Sequence, residues 1–390
     1  MKRISQELVQ YATEMRHLLH QNAELSFHEY KTTEIILNEL RKLPVEITTW
    51  EDICGAVALL RGGSPGPTVA LRADIDALPL QEDSGSPYAS KNPGAMHACA
   101  HDMHTAILLG VAKYYSEHKD ELHGNLKFIF QPAEEVPPGG AKTLIEKGVL
   151  QNPKVDAVFG LHHATENRTG EIGIHYGQFL ASADSFTLTL HVKGGGGSAP
   201  HKGVDGIMVA AEIITAIEVA MTRRIDPVKV ALISFGTIHA GTAFNILANT
   251  VEISGTARTL DPEAMRQIPQ IIEETASGIA AVYGGTVELD YKAGYPCVVN
   301  DMRMTKILET AAVKAIGSEK VFNADAIMAG DDMAYYLQEV PGSYFWLGIT
   351  PQSGIIAPAH TPKFDIDEGA IETGLEVMAA VAAEALEELA

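Results

Sequence analysis

Cysteine is scarce in this chain: Cys54, Cys99 and Cys297 are the three among 390 residues. Three is too few, and odd, for a disulfide framework. That excludes a bridge-stapled secreted scaffold and makes a reducing cytoplasm the expected compartment. Positive charge is also short. Against 50 Asp and Glu stand 29 Lys and Arg, a formal charge of −21. Nucleic-acid binding rests on clustered Lys and Arg, so no such partner is expected. The acidic excess reads as a solvated surface and says nothing of a substrate's charge. No stretch approaches the roughly 18 to 20 uninterrupted apolar residues of a membrane span. No apolar run follows the charged start Met1-Lys2-Arg3-Ile4-Ser5-Gln6-Glu7, so a secretory signal is not expected either. Internal repeats and low-complexity tracts are missing. The four glycines at 194–197 lack the Gly-Lys-Ser/Thr ending of a phosphate loop, and no helix begins at once after them, which rejects a nucleotide reading.

What is present suits two domains with a large core: 390 residues, 46% hydrophobic and 20% charged. The first 40 or so residues read as helix, with Leu8, Tyr11, Met15, Leu18 and Leu19 at helical spacing. After Pro44 short apolar strands follow, among them 68–74, and a helix is expected from Asp102. Strand and helix then alternate to about residue 180. This predicts an α/β domain with a mixed, mostly parallel sheet flanked by helices. Near Ser182 the pattern changes. Strands at 185–192, 230–238, 250–258 and 286–291, with helices at 206–221 and 262–283, give the order β-α-β-β-α-β of a small α+β sandwich. The α/β alternation resumes after about Pro296. The expectation is a catalytic domain split between 1–181 and 296–390, with a lid or dimerisation domain inserted at 182–295.

Three short stretches carry metal-ligand chemistry: Met96-His97-Ala98-Cys99-Ala100-His101-Asp102, Gln131-Pro132-Ala133-Glu134-Glu135 and Gly160-Leu161-His162-His163. The second follows the apolar run 126–130 and the third follows 155–159, both of which read as buried strands. Sites in open α/β sheets lie beyond the carboxyl ends of strands. Thiolate, imidazole and carboxylate are the side chains that hold zinc or a similar ion. Cys99 and His101 precede a predicted helix, whose N-terminus, like a metal, favours the thiolate. Together these stretches predict a metal site at the top of a sheet with a spare glutamate beside it, the parts of a metal-dependent hydrolase. Plainer readings apply to other residues. Cys54 and Cys297 read as small buried hydrophobes, and His17, His20 and His28 as surface or packing histidines. His97 and His104 read as supporting or packing residues, and only one of His162 and His163 need bind.

Further markers run nearly the length of the chain. They include His20-Gln21-Asn22-Ala23-Glu24-Leu25-Ser26-Phe27 and Arg72-Ala73-Asp74-Ile75-Asp76-Ala77-Leu78-Pro79. Later ones are Gly236-Thr237-Ile238-His239-Ala240-Gly241-Thr242, Gly255-Thr256-Ala257-Arg258-Thr259 and Ala359-His360-Thr361-Pro362-Lys363-Phe364. In this order they resemble the aminoacylase, carboxypeptidase and hippurate hydrolase superfamily of two-metal amidohydrolases, in the branch that uses a cysteine ligand. The resemblance implies Cys99, His101, Glu135, His162 and His360 as ligands of two divalent ions. Zinc is the first choice, with manganese, cobalt or nickel also suited to these donors. It implies Glu134 as general base and Asp74 as the group orienting an imidazole ligand. Arg72 stands where most relatives carry a metal-binding histidine. In the inserted domain it implies Asn245 and Arg258, with His239 beside them, as the anchor for a substrate carboxylate, a task that suits arginine's bidentate geometry.

The implied activity is hydrolysis of the amide of an N-acyl amino acid, by a cytoplasmic homodimer or higher homo-oligomer joined through the inserted domain. A carboxypeptidase, aminopeptidase or dipeptidase on the same scaffold is the alternative. A binding protein that has lost turnover is a third reading, opposed by the intact base and ligand set. The chain departs from its relatives in one notable place. Many carry Gly-Gly-His shortly before the Pro-His pair and extend that histidine to a neighbouring subunit's site. Here Gly194-Gly195-Gly196-Gly197-Ser198-Ala199-Pro200-His201 has no histidine in that place. Ala100 and Ala23 replace a common glycine and a common proline, and both changes read as tolerable.

Overall fold

The computed structural model describes residues 3–390; Met1 and Lys2, part of the charged start discussed above, lie outside the described residues. The amino-terminal elements are α1 (Gln6–Gln21), α2 (Tyr30–Leu40), β1 (Glu46–Thr48), β2 (Ala56–Arg61), β3 (Ser64–Asp74), α3 (His101–Glu117), β4 (His123–Gln131), α4 (Gly140–Glu146), β5 (Ala157–Arg168), β6 (Ile172–Ile174) and β7 (Gly177–Leu180). The middle of the chain forms β8 (Asp184–His191), β9 (Gly195–Gly196), α5 (Gly206–Arg224), β10 (Ala231–Ala240), β11 (Ile246–Leu247), β12 (Thr250–Thr259), α6 (Pro262–Val282) and β13 (Thr286–Lys292). The rest forms β14 (Val298–Asn300), α7 (Met302–Ile316), β15 (Val321–Asn323), α8 (Met333–Glu339), β16 (Gly342–Thr350) and α9 (Gly369–Leu389). Two compact units result. The first comprises the chain up to Gly177 with Val299–Asp325 and Asp332–Ala390; the second comprises Gln178–Val298 with Ala326–Asp331.

The first unit is built on a sheet in the order β1-β2-β4-β3-β5-β16-β6-β15. Its centre, β4-β3-β5-β16, is parallel throughout, and antiparallel pairs flank it. A central parallel strand is covered on both faces, so its sequence is continuously apolar rather than alternating. Every residue of β16 is buried accordingly. Leu71, Phe128, Phe159 and Phe345 from the sheet share one core with Ile107 and Leu108 of α3 and Leu375 and Val381 of α9.

The amino-terminal stretch read as one helix is two. Asn22 ends α1, and the backbone turns through Phe27 at a left-handed φ of 65° before α2 begins. The reason lies in the loop's polar groups, which are spent on the site rather than on helix: Ser26 donates to Asp76 at 2.7 Å.

The second unit is a four-stranded antiparallel sheet, β10-β12-β8-β13, under α5 and α6. One sheet face is buried, so β8 alternates: Phe186, Leu188 and Leu190 point inward against Ile213 and Ile217 of α5 and Ile268 and Ile272 of α6. Both helices start where the sequence places a cap. Asp205 accepts from Ile207 and Met208 amides, and Asp261 from those of Glu263 and Ala264, with Pro262 in the first turn. No helix among the described residues is long and apolar enough to cross a membrane.

Candidate metal centre

All five residues proposed as ligands lie in the first unit, where the carboxyl ends of its central strands gather them. β4 ends at Gln131 and delivers Glu134 and Glu135 one turn later; β5 carries His162 and His163; the loop after β16 carries His360. Cys99 and His101 stand at the start of α3, around its N-cap Ala100. Cys99 Sγ is 3.5 Å from His162 Nε2 and 3.3 Å from His360 Nε2. Glu135 Oε1 is 3.6 Å from His360 Nε2 and 3.8 Å from His101 Nε2. His101 Nε2 also faces Glu134 Oε2 at 4.0 Å and Asp74 Oδ2 at 3.8 Å. His163, beside His162, brings a ring nitrogen within 4.8 Å of the Cys99 and His162 donor atoms.

The imidazoles are aimed by their other ring atoms. His162 Nδ1 is 2.8 Å from the carbonyl of His163, which leaves Nε2 toward Cys99. His101 Nδ1 is 2.9 Å from the backbone carbonyl and 3.2 Å from Oδ1 of Asp76. Such a contact fixes the tautomer and leaves Nε2 as the donor atom. Here the geometry departs from the expectation for Asp74. Asp74 Oδ1 pairs instead with His104 Nδ1 at 2.6 Å, and its Oδ2 accepts from Arg72 at 2.8 Å. Asp74 and Asp76 share a face at the end of β3, so alternation alone offered no means of ranking them. Arg72, fully buried, also reaches Gln131 Oε1 and Asp332 Oδ1, bracing the ends of two strands.

His104 is the acceptor for the His163 amide at 3.1 Å, and so joins Asp74 to β5. His20 proves to be more than a packing residue. It is buried, with Nδ1 2.8 Å from Asp102, which also accepts from Arg16.

The donor set fits a divalent cation. His101 Nε2 and Glu135 Oε1 are buried atoms that make no hydrogen bond, and buried polar atoms in that state call for a partner. Burial, then the charges of Glu135, Glu134 and Asp74, push the Cys99 thiol well above its ordinary range. Burial and these carboxylates outweigh the start of α3. A cation among them reverses that balance, since a coordinated thiol is deprotonated outright. Burial alone would pull His101 down, yet Asp74 and then Asp76 and Glu135 outweigh it and hold it up at about 10. Burial drives Glu135 upward as well. One thiol, three imidazoles and neighbouring carboxylates are the ligand types of zinc and similar ions.

Three residues of the site adopt left-handed backbone: Ala100 with φ 54°, Ala133 with φ 55° and His360 with φ 61°. Ala100 separates Cys99 from His101, and its conformation explains why a glycine is the easier residue there.

The residues proposed to bind substrate belong to the second unit. Arg258, half-buried on β12, donates to the Met328 carbonyl at 2.9 Å. Asn245 and His239 are exposed. Arg258 is opposite Leu232, and His239 opposite Glu252, so the two lie six residues apart along the β10–β12 ladder. At about 3.3 Å per residue that is about 20 Å. Asn245 lies farther from Arg258 still, in the hairpin loop beyond the Ala240–Val251 pair. Within one chain Asn245 and Arg258 therefore stand toward opposite ends of the sheet rather than side by side. In the glycine run, Gly196 pairs with Ile246. A Cβ placed there meets nothing within 4 Å, whereas one at Gly194 would meet the Leu247 carbonyl at 2.8 Å.

Comparison with known proteins places this geometry in context. A family model described as peptidase family M20/M25/M40 matches residues 70–384. The N-acyl-L-amino acid amidohydrolase of Geobacillus stearothermophilus is 40% identical over 299 residues, covering 77% of this chain and 80% of that protein. Thermostable carboxypeptidase 2 of Saccharolobus solfataricus is 39% identical over 376 residues, covering 94% and 93%. Among solved structures, the Bacillus subtilis YXEP protein, described as a dinuclear metal binding peptidase from the M20 family, superposes with a TM-score of 0.84. It is 34% identical, with 98% of this chain and 99% of that chain covered.

Proposed function

The chain belongs to peptidase family M20/M25/M40, and from that premise we propose that it hydrolyses the amide bond of N-acyl amino acids to a carboxylic acid and a free amino acid. It is a metal-dependent amidohydrolase. The observation that carries the assignment of roles is the convergence of Cys99, His101, Glu135, His162 and His360 with Glu134 alongside. Those five are assigned as ligands of two divalent ions, zinc by preference. When bound, such ions supply Lewis acidity and positive charge for a developing oxyanion.

The chain's own residues supply the proton transfers. Glu134 takes the proton of the attacking water and returns it to the leaving nitrogen, so that the C–N bond breaks to release an amine rather than an amide anion. Asp76 holds His101 in the tautomer that presents Nε2. Asp74, tied to His104 and Arg72, steadies the strand ends on which the ligands stand.

The carboxylate anchor is assigned to the second unit. Because Arg258 and Asn245 lie at opposite ends of its sheet, both can serve one small substrate only if they come from two copies of the chain. The surface near Asn245 supports association. Strand β10 is an edge of its sheet, and it and the following hairpin expose Leu232, Ile238, Phe244 and Ile246. Unpaired strand edges of this kind invite a second chain, so a homodimer formed through this unit is the proposed assembly. The cytoplasm is the proposed compartment, in keeping with three free buried cysteines.

A carboxypeptidase reading is favoured by the Saccharolobus relative. One experiment separates the two: kcat/KM on acetyl and benzoyl amino acids against unblocked dipeptides, with zinc, manganese, cobalt and nickel in turn. Preference for the blocked amino acids is expected. Preference for unblocked dipeptides with every metal would replace the aminoacylase reading by the peptidase one.

A further inference from the structure

Glu134 sits in the middle of a turn whose two flanking amides are each tied to a buried carboxylate from another part of the chain. The Glu135 amide donates to Asp76 Oδ2 at 3.0 Å, and the Ala133 amide donates to Glu29 Oε1 at 2.8 Å. Asp76 is accounted for, because the same carboxylate holds His101. Glu29 is not. It is completely buried, and although it stands at the N-cap of α2 its side chain makes no capping bond there. Burying a carboxyl group is costly unless its oxygens are used.

Its Oε1 is used twice, accepting from Ala133 and, at 3.0 Å, from Phe27. Those two acceptances fall on two of the chain's strained residues. Ala133 and Phe27 have φ values of 55° and 65°. The left-handed region costs a residue with a Cβ about 1 to 2 kcal/mol, and such conformations persist only where the surroundings over-determine them. One carboxylate oxygen thus holds the turn that presents Glu134 and the turn that presents Ser26, the donor to Asp76.

We infer that Glu29 is a positioning residue for the hydrolysis: by accepting the Ala133 amide it keeps the left-handed turn that aims Glu134 at the metal centre. This rests on the hydrolase reading above, with Glu134 as proton carrier. If Ala133 relaxed to right-handed or extended backbone, the peptide after it would rotate and swing the Glu134 carboxylate. Cys99, His101, His162 and His360 stand on other segments and would stay, and Glu135, on the same turn, keeps its own tie through its amide to Asp76 Oδ2. Loss of Glu29 should therefore act on kcat rather than on metal or substrate binding.

The test uses the full chain, metal-loaded, with two readouts on Glu29→Ala and Glu29→Gln. The first is amide hydrogen exchange over residues 133–135, which requires no turnover. The second is kcat and KM on the best acyl amino acid, with metal content measured in parallel. Glu29→Ala should speed exchange over that turn and lower kcat by at least about 10-fold, in line with the cost of small misplacements of a catalytic group. KM and metal content should stay within about 2-fold of the parent, since four ligands stand on other segments and Glu135 keeps its own amide bond to Asp76. Glu29→Gln keeps an acceptor oxygen and should retain most of kcat. Glycine reaches left-handed backbone without penalty, so the kcat loss from Glu29→Ala should shrink when measured in an Ala133→Gly background. Unchanged exchange in Glu29→Ala overturns the positioning role. Equal kcat losses in the Ala and Gln variants, or a parallel loss of metal, would overturn it too. A parent chain inactive on every acyl amino acid overturns the hydrolase reading instead, and the exchange readout tells the two failures apart.

Discussion

In the first unit Asp74, Asp76, Cys99, His101 and Glu134 are buried, whereas in the second Asn245 and His239 lie exposed and Arg258 is half-buried. The contrast extends to their partners. Asp76 holds His101 and the Glu135 amide, Asp74 holds His104 and Arg72, and Glu29 holds Ala133. The side chains of Asn245 and His239 have no comparable bracing among the described residues. Buried polar groups must be paired, so a buried site documents its own geometry in hydrogen bonds. An exposed residue's role depends on what comes to it, and its own surroundings do not reveal that.

The largest effect should come from emptying the braced side of this comparison. Chelation is expected to abolish activity, and a divalent metal to restore it. Cys99, between His162 and His360, should be the most sensitive ligand, so Cys99→Ser should lose metal content as well as rate. Active, purified protein without a transition metal by elemental analysis would break the site reading at its root.

Next in size is Glu134→Gln. The amide is nearly isosteric but cannot accept and return a proton, so turnover should fall on the order of 10² to 10⁴-fold while metal content and melting temperature hold. Activity within a few-fold of the parent would remove Glu134 from the chemistry.

On the exposed side the effects should be smaller. Arg258→Ala is expected to lower kcat/KM for free-carboxylate substrates by roughly 10 to 100-fold, the scale of a lost charged hydrogen bond, and to erase the preference over the amidated analogue. The geometry sharpens this into a mixing experiment. If Arg258 and Asn245 serve one substrate from two chains, the impaired Arg258→Ala and Asn245→Ala proteins should regain activity when unfolded and refolded together. About a quarter of the sites in randomly formed dimers would then carry both residues. No recovery, with mixed dimers shown to form, would assign the anchor to residues of one chain.

Smaller again is the gain expected from Gly196→His. The position is open to a Cβ, and a histidine there should raise kcat more than it changes KM if it reaches a developing oxyanion. A change confined to KM would make the loop a substrate contact rather than a transition-state donor.

Much of this was legible in the sequence, for identifiable reasons. Continuous apolar runs announced the central strands, because parallel strands are covered on both faces. The alternation over 185–192 announced the one-sided sheet of the second unit. Cys99, His101 and the Glu134-Glu135 pair were legible because their residue types leave few uses for such spacing beyond strand ends. Asp76, His104 and Glu29 were not, since their roles lie in contacts between segments far apart in the chain: Glu29 meets Ala133 across 104 residues. The break between α1 and α2 was hidden for the same reason, as the loop's polar groups bond to a distant strand end. The separation of Arg258 from Asn245 depended on the register of β10 against β12, which residue types alone do not specify.

The smallest effect separates strain from openness. Ala100 and Gly196 are both places where relatives are expected to differ from this chain, one with glycine and one with histidine. Gly196 has room and no left-handed φ, so its side chain is absent without any backbone reason. Ala100 is the reverse: it is buried, with φ 54°, between two proposed ligands. Ala100→Gly should relieve about 1 kcal/mol or somewhat more of left-handed strain. Part of that is offset by glycine's greater freedom in the unfolded chain, about 0.5 to 1 kcal/mol. The net should be a rise in melting temperature of at most about 2 °C for a chain of this size. Turnover should change little, because Cys99 and His101 keep their places. A fall in melting temperature together with a loss of metal would show that the methyl group of Ala100, rather than its backbone, holds the start of α3.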